Sequence, residues 1–363
     1  MPDRTKIEWT AATWNPLRGC TRVSEGCRNC YAETVAARFS NPSQPYHGLA
    51  ERTPSGPRWT GKVELIEHLL DQPLLWKKPR RIFVNSMSDL FHESVPFGWI
   101  MRVIDVIGYA PRHTFQILTK RPDRMSAFFA QWTDFEGEDF EPKMVRGPAA
   151  TRAAHPSGRG RLFADMLEAK GTPPPGAAFP TFDWIGGMIG WPSIFRNVWL
   201  GVSVEDQVTA DERIPLLLET PAAKRFISAE PLLGPITIPP GLDWVIAGGE
   251  SGPNARPAHP DWFRSLRDQC ADAGVPFFFK QWGEWHEFDT GPIPQQIEAH
   301  TGPADDLVAL ASHPGWIAPD GRFFASQDDL PADETPCRFI DRVGKRRAGR
   351  LLDGREHNEF PDA

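Results

Sequence analysis

The sequence predicts an α/β protein built on a parallel sheet, and two observations carry that expectation. Six short β-type runs recur, each ending in polar or glycine-rich sequence, and their apolar parts are near continuous rather than alternating, as in strands covered on both faces. Several of the segments between them look helical, and the order strand, helix, strand implies right-handed βαβ units.

A first strand is expected just ahead of a cysteine-rich loop near residue 20. The six runs then fall at residues 81–89, 114–122, 198–206, 225–231, 243–251 and 276–283, with helices expected over 98–109 and Pro260–Ala273. Regularity breaks over 132–192, where proline, glycine and alanine dominate, so this stretch is expected to be an insertion, either a lid or a partly disordered surface excursion. The strand pattern also fades after Gly283. Four units follow: 1–131 as the first part of the parallel sheet with its cysteine loop, 132–192 as the insertion, 193–283 as the second part, and 284–363 as a C-terminal extension. Asp320-Gly321 ahead of Arg322-Phe323-Phe324 suits a hairpin turn. Arg338, Arg342, Lys345, Arg346, Arg347 and Arg350 form a basic run opposed only by Asp341.

The net charge of −7 argues against a globally basic nucleic-acid coat, although local patches can bind phosphate. Hydrophobic residues at 40% and charged residues at 24% are ordinary for a globular chain and exclude wholesale disorder. Met1 leads straight into polar and aromatic sequence, with no apolar leader and no stretch near the roughly 20 apolar residues of a membrane span. The expectation is a cytoplasmic protein that does not engage membranes.

Three of the five cysteines lie within eleven residues, as Cys20, Cys27 and Cys30 in a C-x6-C-x2-C pattern. That spacing is poor for a disulfide framework and good for a metal site in a reducing compartment. Three thiolates suit a [4Fe–4S] cluster that leaves one iron open, whereas structural zinc takes four protein ligands. Gly19 and Gly26 let the loop wrap closely, and Arg28 and Asn29 can offer donors to sulfide. Other readings stay open at this point: a zinc knuckle completed by His47, His92 or another histidine, or no metal. Cys270, in a helical segment, is expected to be a buried core thiol and Cys337 a loop thiol. Trp14, Trp199, Trp244 and Trp282 are expected to pack the sheet rather than stack bases.

The blocks TWNPLRGC-x6-C-x2-CYAE, NSMSDLFHE, LTKRP, GVSVED, SAEPLLGPI, GGESG, FKQWG and VGKRRAGRLLDG cover nearly everything outside the insertion. With them the chain resembles a phage and prophage protein family of unknown function that carries a three-cysteine motif. Through that motif it is similar to the radical S-adenosylmethionine superfamily, nearest the spore photoproduct lyase-like branch. The first cysteine gap is six residues where the superfamily usually has three, and Tyr31 directly after Cys30 can supply an aromatic that commonly precedes the last cysteine. The resemblance implies a partial parallel (β/α)6 TIM-type barrel. It also implies a [4Fe–4S] cluster whose open iron chelates S-adenosyl-L-methionine, and an electron donor such as flavodoxin or ferredoxin. An electron would then release a 5′-deoxyadenosyl radical that abstracts hydrogen from substrate. The protein's part in such chemistry is to position and shield.

Parallel barrels carry reactive groups at the C-terminal ends of their strands, and the polar residues of this chain recur at that level. By similarity to the superfamily, Ser86, Ser88 or Asp89 meets the methionyl amino group, Lys120 the carboxylate, and Ser203 with Glu205 the ribose. In the Gly248-Gly249-Glu250 tripeptide the two glycines permit close backbone approach to adenine or substrate. The branch resemblance and the basic run together suggest a nucleic acid or nucleotide-like substrate. The competing expectation is a zinc-binding, non-catalytic, phage-associated interaction protein.

Overall fold

The structure, a computed structural model, describes residues 5–133, 196–288, 314–331 and 336–362. Its main sheet has seven parallel strands lying side by side in chain order: β1 (Ala12–Trp14), β2 (Arg81–Val84), β3 (Thr114–Thr119), β4 (Val198–Ser203), β5 (Lys224–Ala229), β6 (Trp244–Gly248) and β7 (Phe277–Gln281). All six expected runs contain a strand, and the short β1 precedes them. The architecture is α/β, with the sheet curled into a half-barrel.

Alternation along each strand divides the apolar residues between two layers. Ile82, Val84, Phe115, Ile117, Leu200, Val202 and Val245 face the main core under the helices. Phe83, Trp199, Phe226, Trp244, Ile246 and Phe278 face the concave side and pack with Trp9. This inner aromatic layer uses the N-terminal halves of the strands, so the polar C-terminal ends are left at the mouth. Trp14, Trp199, Trp244 and Trp282 are all buried, as packing residues are.

Helix α1 (Tyr31–Arg38) follows the cysteine loop at once. The crossovers carry α2 (Phe97–Gly108), α3 (Pro122–Thr133), α4 (Gln207–Glu219) and α5 (Pro260–Ala273). Helix α4 starts hard against the end of β4 because Asp206 caps it, accepting from Thr209 N at 2.9 Å, while Thr209 Oγ1 takes the Asp206 amide at 3.1 Å. Helix α5 keeps the expected bounds: Pro260 fits its first turn and Gly274, at φ +65°, ends it in the left-handed conformation.

Beyond its first two positions, which close α3, the insertion expected over 132–192 lies outside the described residues. Strands β3 and β4 pair directly on either side of it, from Phe115 with Val198 to Thr119 with Val202, so the sheet runs on uninterrupted.

After β7 the fading pattern hides a second sheet. Four antiparallel strands, β8 (Trp285–Glu287), β9 (Gly315–Ile317), β10 (Phe323–Phe324) and β11 (Arg338–Arg342), lie in the order β8-β11-β9-β10. The expected hairpin joins β9 to β10, with Gly321 at φ +88° donating its amide to Ala318 O at 2.8 Å. The chain then returns to the main sheet, where Phe279 N donates to His357 O at 3.0 Å and Trp244 Nε1 to Glu359 O at 2.9 Å. This segment covers the edge of β7, a sheet edge that would otherwise stand open. Phe360 packs 5.1 Å from the Trp244 ring with the Arg81 guanidinium 3.8 Å over its own, closing the floor of the half-barrel.

Candidate functional site

At the mouth a cleft of about 600 Å³ opens between the cysteine loop and the strand ends. Cys20, Cys27 and Cys30 line one side and Glu230, Lys280 and Gln281 the other; Trp9 and Phe83 lie below. Tyr31, Ser86, Ser88, Asp89, Lys120, Ser203, Gly249 and Glu250 also line it, so the structure gathers most of the residues singled out from sequence around one space. Glu205 and Gly248 stand behind this lining.

What holds the loop there is a set of charged groups from three strand ends. At the first, Arg121 follows β3 and donates to Thr21 Oγ1 at 2.6 Å and to Thr21 O at 3.3 Å. Asp89 fixes Arg121 from below at 3.0 Å, while also accepting from Thr119 Oγ1 at 2.8 Å and from the amides of Phe91 and Lys120. His92, fully buried, reaches Thr21 Oγ1 at 3.0 Å through Nε2 and accepts the Ser94 amide at Nδ1, so both its ring nitrogens have partners.

The second tether is Glu205, one residue past Val204 at the end of β4. Its carboxylate accepts from Ser24 Oγ at 3.0 Å and from Arg213 Nη1 at 3.1 Å, and it is paired with Lys120. Helix α4, capped at Asp206, brings Arg213 back over the strand end, where it also donates to Ser203 O at 2.7 Å. Glycine is required at position 26 because a Cβ there would fall 2.3 Å from Glu205 Oε1. Glu250, after β6, makes the third. It accepts from Asn29 Nδ2 at 3.0 Å and from the Arg256 guanidinium at 2.9 and 2.7 Å, and Arg256 reaches on to Glu25 O at 2.9 Å. Burial opposes the Glu250 charge, yet the hydrogen bonds from Arg256 and Asn29 hold its carboxyl below the ordinary range.

The residues expected to meet a cofactor also carry contacts within the protein. Asp89, Glu205 and Glu250 bond to the loop and its supports, and Asp89 and Glu250 line the cleft as well. Lys120 lines the cleft but is paired with Glu205. Ser86 Oγ donates to Asn15 Oδ1 at 3.1 Å, Ser88 Oγ to Leu17 O at 3.0 Å, and the Tyr31 hydroxyl to Ser86 O. Gly249 is required by protein packing, since a Cβ would meet Trp282 O at 1.8 Å; Gly248 has no such contact under 3.4 Å. Asn29 points to Glu250 and Asn254 O, and Arg28 pairs at the surface with Glu25 at 3.8 Å, so neither side chain is turned to the thiols. Ser203 and Ser228 remain in the lining at the ends of β4 and β5.

The basic run divides in the same way. Arg338 pairs with Asp261 at 3.0 Å, Arg342 donates to Gly252 O at 3.0 Å, and Arg350 bonds Asn358 and lies 5.2 Å over the Phe278 ring. Lys345, Arg346 and Arg347, on the short helix α6 (Lys345–Ala348), are exposed, and Lys345 reaches the cleft rim.

Thr21 and Ser24 could not be singled out from sequence, because their partners Arg121 and Glu205 lie far away in the chain, and Arg213 and Arg256 were missed despite nearer ones. The available signal was local: an arginine six or eight positions after a strand-end glutamate, in Glu250…Arg256 and Glu205…Arg213.

The thiols feel one another across the cleft. Burial pushes the Cys20 thiol up to about 12, with Asp89 adding to the rise, Arg121 opposing it, and Cys30 and Cys27 adding further. Cys30 is also raised, first by burial, against the amides of Glu33 and Ala32 at the start of α1 and with Cys27 adding. Among the described residues, no three His, Cys, Asp or Glu groups are drawn together to hold a single ion. Thiolates around one zinc stand about 3.8 Å apart, from 2.3 Å bonds in a tetrahedron. On a cubane cluster each cysteine takes a different iron, so its ligand sulfurs stand wider than those around a single ion, and Cys20, Cys27 and Cys30 all line the one cleft. Cys270 is buried in α5, and burial raises its thiol to about 12. Among the described residues no helix is long and apolar enough to cross a membrane.

No curated protein and no solved structure matches this chain. Residues 4–361 match the model of a family described as "Protein of unknown function (DUF5131)".

Proposed function

The chain belongs to the DUF5131 family, and from that premise we propose that it is an iron–sulfur enzyme of the radical S-adenosylmethionine type. The observation that carries the proposal is a three-cysteine loop tethered by three strand ends over the C-terminal mouth of a parallel half-barrel, with a cleft of about 600 Å³ beneath it. In this reading Cys20, Cys27 and Cys30 hold a [4Fe–4S] cluster, and one iron remains for S-adenosyl-L-methionine. Those groups, when bound, supply one-electron cleavage of the sulfonium and a carbon radical able to take hydrogen from substrate.

The chain's own residues do the rest. Arg121, Glu205 and Glu250 fix the loop, which limits how far its backbone must move when metal arrives. Ser203, Ser228 and Lys120 present polar atoms on the strand side of the cleft, where a bound cofactor's hydroxyls or carboxylate can be met. Trp9 and Phe83 close the inner end with apolar surface, which excludes water from a reactive radical. The substrate, taken as a nucleic acid or nucleotide-like molecule, would approach over Lys345, Arg346 and Arg347. A flavodoxin or ferredoxin would deliver the electron.

Anaerobic purification with iron and sulfide analysis tests the reading directly. About four irons per chain, and 5′-deoxyadenosine formed with dithionite and S-adenosyl-L-methionine, are the expected results. Colourless protein carrying stoichiometric zinc would instead favour the non-catalytic interaction protein.

A further inference from the structure

Resting on that iron–sulfur reading, we infer that Arg121 sets the reduction potential of the centre by donating a hydrogen bond to the Cys20 sulfur. The guanidinium is 6% exposed, and its Nη1 stands 4.0 Å from Cys20 Sγ and 3.0 Å from Asp89 Oδ2. Its other two nitrogens are occupied, Nε by Glu93 at 2.6 Å and Nη2 by the Thr21 hydroxyl and carbonyl. Because a guanidinium is planar, fixing three nitrogens fixes the direction of every N–H, and Arg121 cannot turn from the sulfur without breaking bonds to three residues.

The sign of the effect follows from charge. Reduction adds an electron that is shared with the ligating sulfurs, and a positively charged donor stabilises the more negative state more strongly. Arg121 therefore raises the potential and makes the centre easier to reduce. Asp89 faces the same guanidinium, so its removal also leaves that carboxylate uncompensated near Cys20, which pushes the potential the same way. Cys30 differs, since the groups at its sulfur are the amides of Ala32 and Glu33, which a side-chain substitution does not remove. Arg121 is a positioning residue in this role, acting through the sulfur and not on substrate.

The test is a redox titration of the reconstituted full chain, followed by electron paramagnetic resonance, for wild type, Arg121→Gln, Arg121→Lys and Thr21→Val. Arg121→Gln should shift the midpoint of the cluster it retains to a more negative potential, with Arg121→Lys between it and wild type. Thr21→Val, which loses the loop hydroxyl and keeps the Nη1 contact, should leave the midpoint near wild type. Equal shifts in Thr21→Val and Arg121→Gln would overturn the inference, because loosening of the loop would then explain both. Failure of both Arg121 variants to retain iron would overturn it too, assigning the residue to loop retention alone. A wild type that holds iron and sulfide while all three variants titrate with it refutes the inference and leaves the parent reading standing. A wild type with no cluster removes both.

Discussion

Glu205 shows how little of a side chain's work is visible from its place in the sequence. Its position after an apolar strand suggests a cleft-facing acid, whereas its carboxylate is shared among Ser24, Lys120 and Arg213 at 1% exposure. The partner in the cysteine loop lies 181 residues away, and no local pattern encodes that pairing. Truncating one member of a buried ionic network strands the others, so Glu205→Ala should cost about 3 kcal/mol in urea unfolding. A loss under about 1 kcal/mol would mean that the network is not a determinant of stability. That Cys20, Cys27 and Cys30 share one cleft was legible, because they lie within eleven residues on one loop. Alanine at Cys20, Cys27 or Cys30 should abolish cluster assembly, while Cys270→Ala and Cys337→Ala should retain wild-type iron. Equal dependence on a fourth cysteine, measured as iron per chain, would replace the open-iron site with a closed one.

Among the elements, strands buried on both faces were the easiest to see, since β2 to β7 each need an unbroken apolar run and polar residues begin where the sheet ends. Strands β8 and β11 went unseen because each is five residues or fewer and their pairing is between segments distant in the chain, whereas β9 and β10 showed only through the turn that joins them. Helix α2 was legible from its apolar face, yet it carries a carboxyl that its composition does not announce. Burial pushes Asp105 up from 3.8 to about 6, with Arg102 opposing the rise. The folded state therefore keeps a proton that the unfolded chain gives up between about pH 4 and 6, and stability falls as pH rises through that window. Asp105→Asn should gain on the order of 1–2 kcal/mol over wild type at pH 8, after allowance for the partial exposure of the site, and the gain should vanish below about pH 4. Thermal unfolding across pH checks this; a gain independent of pH would exclude the titration as its cause.

At the level of the whole molecule, the half-barrel is sealed below by segments remote in sequence: Trp9 on the near side, and Phe360 packed against Trp244 and Phe278. Phe360→Ala should cost about 2 kcal/mol, because the ring is half-buried against aromatic surface, while iron content and the cysteine loop remain as in wild type. Loss of iron in that variant, at a temperature where the fold persists, would show that floor and mouth are coupled. The parallel sheet could be foreseen from strand order alone, but its closure could not, since the residues that complete it sit beyond a second sheet. This closure also bears on biosynthesis. The concave layer lacks its lowest ring until residue 360 has emerged from the ribosome, long after the cysteine loop has been made. A nascent chain therefore carries Cys20, Cys27 and Cys30 out of the ribosome well before the segment that seals the barrel floor has been made.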